Sequence, residues 1–232
     1  MGLPLTAIPT SLPAGKPAEL LLLLNFEEQP PVDTSGNSQP LAYTGNPSVS
    51  LVTKKWGTRS MYFPGFAHIR TSLPKAIAVN MNFYVRTWMY LDPSEFGTWG
   101  RTIFTLGERS NNRSLWMRQR RTEQFLELYG NNASLLANMP TPAIDTFDNK
   151  WTYMLVQRQS GVVSVYIALA GESQATLWAT VPYSNAIDSA VCLGYSTRMD
   201  ESLMGYLDGF EVVVGDIVSD PTIIPTGPTG SG

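Results

Sequence analysis

The chain has 232 residues, 43% of them apolar and 15% charged, with a formal net charge of −3. That is ample material for one large core, and the charge balance gives no global pull toward nucleic acid or an anionic membrane. Cys192 and His68 are each the only residue of their type, which excludes an intrachain disulfide and any Cys/His zinc set.

Residues 1–18 read as an extended arm, because Pro4, Pro9, Pro13 and Pro17 hold themselves and their predecessors to extended geometry. A basic n-region is absent and the apolar run Leu20 to Leu24 is short, so no signal peptide is expected. Nor does any stretch approach the roughly 20 apolar residues of a membrane span, and no membrane insertion is expected.

From Glu19 onward short β-prone runs alternate with Gly, Pro, Asn and Asp. Leu20 to Phe26 is a continuous apolar run, as in a strand buried on both faces. Val49 to Lys54 and Phe66 to Arg70 follow a Pro/Ser/Gly-rich loop. Ala78 to Leu91 alternates with period two. Phe83, Val85, Met89 and Leu91 take one face, and Tyr84, Arg86, Trp88 and Tyr90 the other. Further strands are predicted at Arg101–Leu106, Ser114–Gln119, Phe125–Tyr129, Trp151–Arg158, Val162–Leu169, Gln174–Thr180, Ala190–Gly194 and Gly205–Val214. With no amphipathic helix among them, the pattern predicts an all-β, antiparallel two-sheet sandwich or jelly roll. Residues 217–232 turn to Pro, Thr and Gly, with Gly227 and Gly230 spaced as in a collagen-like repeat too short to form a triple helix. The expected organisation is an arm over 1–18, a sandwich over 19–216 and a tail over 217–232.

The order of several segments is familiar. Leu22-Leu23-Leu24-Asn25-Phe26-Glu27 and Asp33-Thr34-Ser35-Gly36 are followed by Ser60-Met61-Tyr62-Phe63-Pro64-Gly65 and Tyr84-Val85-Arg86-Thr87-Trp88-Met89. Lys150-Trp151-Thr152-Tyr153 then precedes the closing Gly205-Tyr206-Leu207-Asp208-Gly209-Phe210-Glu211-Val212. Over residues 20–215 this succession resembles the laminin-G-like branch of the concanavalin A-like lectin/glucanase superfamily, as found in phage virion proteins of tail or capsid. The resemblance implies a concanavalin A-like sandwich. It also implies a structural calcium ion held by Asp208, by Glu27 and by the backbone carbonyl of Gly65, a donor set of the hard oxygen type that calcium accepts. The chain departs from the family where Gly209 replaces the usual glutamate after Asp208, and Asp208 has the alternative of capping backbone amides at a strand end.

Catalytic chemistry finds little support. Glycoside hydrolysis needs two carboxyl groups across the sugar, and family glucanases arrange theirs as E-x-D-x-E. The nearest match, Glu123 and Glu127, has Phe125 at its centre. A serine or cysteine nucleophile would have to share His68. The chain is therefore expected not to be an enzyme. Trp88, Tyr90, Trp56, Trp99 and Trp178 are candidates either for stacking on sugars or for interfaces and packing. Trp151 resembles a core position of the family. Arg109, Arg113, Arg118, Arg120 and Arg121 form a candidate basic interface patch, which Glu108, Glu123 and Glu127 are placed to neutralise.

Two functions from different classes emerge. The first is a structural or adhesion module of a phage virion, assembled in the host cytoplasm, contacting other virion proteins through its arm and forming a homo-oligomer. The second is a lectin domain recognising host surface glycans. Nucleic acid is not an expected partner.

Overall fold

The computed structural model describes residues 18–93, 100–108, 112–120, 123–143, 145–195 and 201–227. Fifteen strands run in chain order: β1 (Glu19–Leu24), β2 (Ala42–Thr44), β3 (Ser48–Ser50), β4 (Ser60–Pro64), β5 (His68–Ser72), β6 (Phe83–Leu91), β7 (Arg101–Leu106), β8 (Leu115–Arg120), β9 (Phe125–Gly130), β10 (Ser134–Pro140), β11 (Trp151–Gln159), β12 (Val162–Ala168), β13 (Thr176–Pro182), β14 (Ala190–Leu193) and β15 (Met204–Val214). No α-helix occurs among the described residues. The strands form an eight-stranded sheet, β13-β12-β11-β6-β15-β4-β3 with β1 also on β15, and a seven-stranded sheet, β10-β9-β8-β7-β14-β5-β2. This is the predicted antiparallel sandwich.

The alternation seen in the sequence sets the core. Phe83, Val85, Met89 and Leu91 of β6, and Val163, Val165 and Ile167 of β12, point between the sheets. There they meet Ile103, Phe104 and Leu106 of β7, Leu115 and Met117 of β8, and Leu126 and Leu128 of β9. Burial of so many branched and aromatic side chains, at roughly 25 cal/mol per Å² of apolar surface, is what closes the two layers. β15 organises the larger sheet. One edge pairs with β6 along its length, while the other pairs with β4 up to Leu207 and with β1 from Phe210 onward. The exchange of partners falls at a bulge between Asp208 and Phe210, where Gly209 takes φ 64°. Only glycine enters that left-handed region without a Cβ penalty.

Four features depart from the expected elements. The strand foreseen over 78–91 begins at Phe83, because Asn80 adopts φ 56° and its amide bonds to the Ser184 carbonyl instead of continuing a ladder. β10 was missed, since an edge strand that mixes Asn138 and Pro140 with Leu135 and Leu136 carries no clear period. The foreseen strand Val49–Lys54 stops at Ser50, and residues 51–59 form a loop over the larger sheet. Residues 217–224, read as the start of a tail, also lie against that sheet. Val218 donates to Gln157 Oε1 at 3.2 Å, Ala175 donates to the Thr222 carbonyl at 2.8 Å, and Gln174 bridges Ile223. The arm lies outside the described residues, apart from Ala18.

Candidate functional site

The outer face of the larger sheet carries the aromatic stripe foreseen on β6, but most of it is sealed. Trp88 is 4% exposed and Tyr153 1%. They form a second apolar cluster with Leu155, Ala168 and Ala175, packed under Trp56, Val218 and Ile224. Trp88 is thus not an exposed platform: the loop 51–58 and the segment 217–224 cover it. Trp56 meets it edge-on at 6.0 Å, and the Lys55 ammonium sits 4.1 Å from its ring centroid. Trp178 is half-buried against the main core and 5.8 Å from Phe147, so it too packs rather than projects. Tyr90 stays partly open. Trp151, taken for a core residue, is half-buried on this outer face beside it. Trp99 lies outside the described residues.

The loop 51–58 is held by Asp208, whose Oδ2 accepts the Lys55 amide at 2.7 Å and the Trp56 amide at 2.9 Å. Glu27 accepts the Thr58 amide and hydroxyl. Gly65 is elsewhere: Pro64 pairs with Met204, four residues along β15 from Asp208 and so about 13 Å away at strand rise. The calcium set implied by the resemblance therefore does not converge on one point, and both its carboxylates are engaged by backbone donors. Among the described residues no group of three or more His, Cys, Asp or Glu side chains is placed to hold a metal ion.

Burial pushes the Asp208 carboxyl up to about 6, with the negative charge of Glu27 adding to the rise and the Trp56 and Lys55 amides opposing it. A carboxyl whose folded pKa exceeds its free value binds its proton more tightly when folded, so its contribution to stability falls as pH rises from about 4 to about 6. Asp208→Asn keeps an acceptor for both amides and removes the charge. The expected result is a gain of roughly 1–3 kcal/mol at pH 8 that vanishes near pH 4, read by urea denaturation at the two values. A variant less stable than wild type at pH 8 would contradict it.

On the outer face of the seven-stranded sheet, the arginine cluster of the sequence is internally neutralised. Arg118 of β8 is buried, its Nε and Nη2 donating to Glu127 Oε2 at 2.9 and 2.6 Å and its Nη1 to Glu201 Oε1 at 2.6 Å. Its guanidinium lies 4.9 Å from the Tyr129 ring, which stacks on Trp116 at 4.1 Å and 11°. Arg120 pairs with Glu123 and Glu127, and Arg113 with Asp188 at 2.9 Å. The basic patch is thus a set of ion pairs rather than a free cationic surface; Arg109 and Arg121 lie outside the described residues.

Beside this cluster, over β7, β14, β5 and β2, lies an open groove of about 390 Å³. Leu41, Arg70, Thr105, Glu108, Cys192 and Tyr195 are among its lining residues. Register explains the convergence: Cys192 pairs with both Arg70 and Thr105, so the three side chains stand on one face. Arg70 and Glu108 are exposed. Thr105 is 4% exposed, and its hydroxyl has no hydrogen-bond partner among the described residues. Tyr195 stacks on His68 at 4.7 Å. Burial pushes the Cys192 thiol up to about 11, with Arg70 pulling the other way. The thiol is therefore protonated at neutral pH and no nucleophile. Burial, with Arg70 adding, holds the His68 imidazole below its ordinary value. The sequence missed this groove because its lining comes from β2, β5, β7 and β14, which are far apart in the chain and adjacent only in the sheet.

No family model matches the sequence, and no curated protein matches it. Among solved structures the chain is similar to domain 4 of AbnA, a GH43 extracellular arabinanase from Geobacillus stearothermophilus, in complex with arabinotriose. Identity is 18% and the TM-score 0.58, with 87% of this chain and 95% of that domain covered. It is also similar to the botulinum neurotoxin serotype D binding domain (18%, TM-score 0.65, 87% and 49% covered). The binding domain of Paraclostridial Mosquitocidal Protein 1 is a further neighbour (12%, TM-score 0.64, 87% and 50% covered). The chain spans about half the length of these two toxin domains. The likeness is one of fold alone, that of an antiparallel two-sheet β-sandwich.

Proposed function

We propose that the chain is a non-enzymatic, lectin-like adhesion module that binds a hydroxyl-rich carbohydrate in the groove of the seven-stranded sheet. The observation that carries this reading is the groove lining, where a charged fork (Arg70), a carboxylate (Glu108) and a buried hydroxyl with no partner among the described residues (Thr105) occur together with the Tyr195 ring. Sugars present adjacent hydroxyls that a guanidinium or carboxylate engages two at a time, while their C–H faces rest on aromatic rings. That neighbours include a domain in complex with arabinotriose and toxin binding domains agrees with this reading.

Absence of catalysis is supported by the carboxylates. Of the two glutamates nearest to a glucanase pattern, Glu127 is buried and paired with Arg118, and Glu123 is paired with Arg120, so neither is set across an open sugar site. Display on a virion, tail or capsid, remains part of the proposal. It draws on the proline-rich arm, the charge-poor composition and the Gly/Pro/Thr end, and co-sedimentation with phage particles tests it.

For the groove, calorimetric titration with a panel of neutral and acidic mono- and oligosaccharides is the test. Arg70→Ala and Thr105→Val are each expected to weaken binding about tenfold, the loss of one charge-assisted or buried hydrogen bond. Unchanged affinity in both folded variants would overturn the assignment.

A further inference from the structure

On the larger sheet one row of outward side chains is open where the next is sealed. Tyr62 of β4 pairs with Tyr206 of β15, Tyr206 pairs with Tyr90 of β6, and Tyr90 pairs with Trp151 of β11. Direct pairing puts all these side chains on one face, one per strand, with ring centroids 4.8, 5.5 and 5.5 Å apart. Each is half-buried. Two residues further along the same strands comes the row of Asp208, Trp88 and Tyr153, which Trp56 and Lys55 cover. The loop 51–58 therefore stands as a wall along one side of the open row. Three strand spacings make the row about 14 Å long.

We propose that this row is a second carbohydrate site, a trough for a linear neutral oligosaccharide of about three rings lying across the strands. The proposal shares with the groove reading only the class of ligand; the two sites sit on opposite sheets. The rings meet at interplanar angles of 35°, 85° and 59° along the strip and so present a mixture of edges and faces, which suits the C–H surfaces of sugars. The Tyr90 hydroxyl is engaged within the chain, donating to Asn149 Oδ1 at 3.3 Å, so it is the ring that is offered to the ligand. A second copy of the chain fits poorly, because a stable interface needs about 800 Å² per partner and four half-buried rings at 150–250 Å² each expose much less. Single-stranded nucleic acid also stacks on aromatics but needs a cationic groove, whereas the row itself contains no Lys or Arg and the net charge is −3. With a ligand site on each sheet, the module would bridge two glycan chains or bind one surface with raised avidity.

The test uses the full chain and neutral gluco-, xylo- and arabino-oligosaccharides of one to six units, followed by calorimetry. Affinity is expected to rise with length up to about three units. It should fall at least tenfold in Tyr90→Ala and in Trp151→Ala, and less than twofold in Tyr90→Phe. These effects should persist in an Arg70→Ala background, which separates the row from the groove. Thermal melting identifies any variant that fails to fold, and Tyr206→Phe with Tyr206→Leu then repeats the comparison at a second position. Unchanged affinity in the folded row variants overturns the second site while leaving the groove reading intact. Overturning results also include silence across the panel, self-association abolished by Tyr90→Ala, or preferential binding of oligothymidylate.

Discussion

Replacing Arg118 with methionine is expected to destabilise the fold by about 3–5 kcal/mol, the penalty for stranding buried charge after one partner is removed. Glu127 and Glu201 both depend on this guanidinium and both are almost fully buried, with Tyr129 donating to Glu127 Oε2 at 3.1 Å as a further bond. Burial alone would lower the pKa of Arg118, yet its carboxylate partners more than reverse this, so the cation is held firmly within the network. The network is expected to specify geometry more than to add stability. The triple variant Arg118→Met, Glu127→Leu, Glu201→Met should therefore recover most of the loss, because a buried ionic cluster replaced whole by apolar side chains is often neutral or better. Urea denaturation of single and triple variants decides this. A single variant within about 1 kcal/mol of wild type would show that the carboxylates find other partners.

Arg158→Met is the second large effect expected, about 2–4 kcal/mol of destabilisation. This arginine of β11 is fully buried, yet no ion pair to an acidic side chain involves it among the described contacts. Instead Nε donates to the Met81 carbonyl and Nη2 to the Ala78 carbonyl, each at 2.8 Å, while Nη1 donates to Asn185. Its face packs 4.9 Å from the Phe83 ring. Burial pushes its pKa down to about 10, with Tyr183 opposing. It thus staples the loop before β6 to the loop after β13, which are also joined by the Ile77–Ile187 bridge. Removing it takes a donor from each of these carbonyls, of which Ala78 alone keeps another in the Met81 amide at 3.2 Å among the described contacts. Hydrogen exchange should accelerate most at Ile77, Asn80 and Ile187. Uniform exchange across the chain, with stability unchanged, would remove the staple from the account.

These arginines show where sequence reading ran out. Alternation in β6 and β12 is a local signal, and it located the core and the sandwich. What covers an outer face is not local. Trp88 and Tyr90 stand on the same face of β6 and look alike in sequence, yet one is sealed by residues 51–58 and 217–224 and the other is not. The covering segment hides its anchors, Val218 and Ile224, among Pro, Thr and Asp. Arg118 and Glu127 are close enough in sequence to suggest an ion pair, but Glu201 enters from another strand connection. The groove is harder still, since Arg70, Thr105 and Cys192 converge only through strand order. Gly65 fails as a partner of Asp208 for the same reason: motif order survives while register sets distance.

The central claim is that the molecule binds carbohydrate without transforming it, through the groove on the seven-stranded sheet. Its most direct test is a 15N-resolved NMR titration with an oligosaccharide panel, with the recovered ligand then checked for new reducing ends. The predicted result is a saturable set of shifts centred on Arg70, Thr105, Glu108 and Tyr195, with the oligosaccharide returned intact. Released sugar would contradict the non-enzymatic reading, and saturating ligand that leaves those residues unmoved would contradict the site.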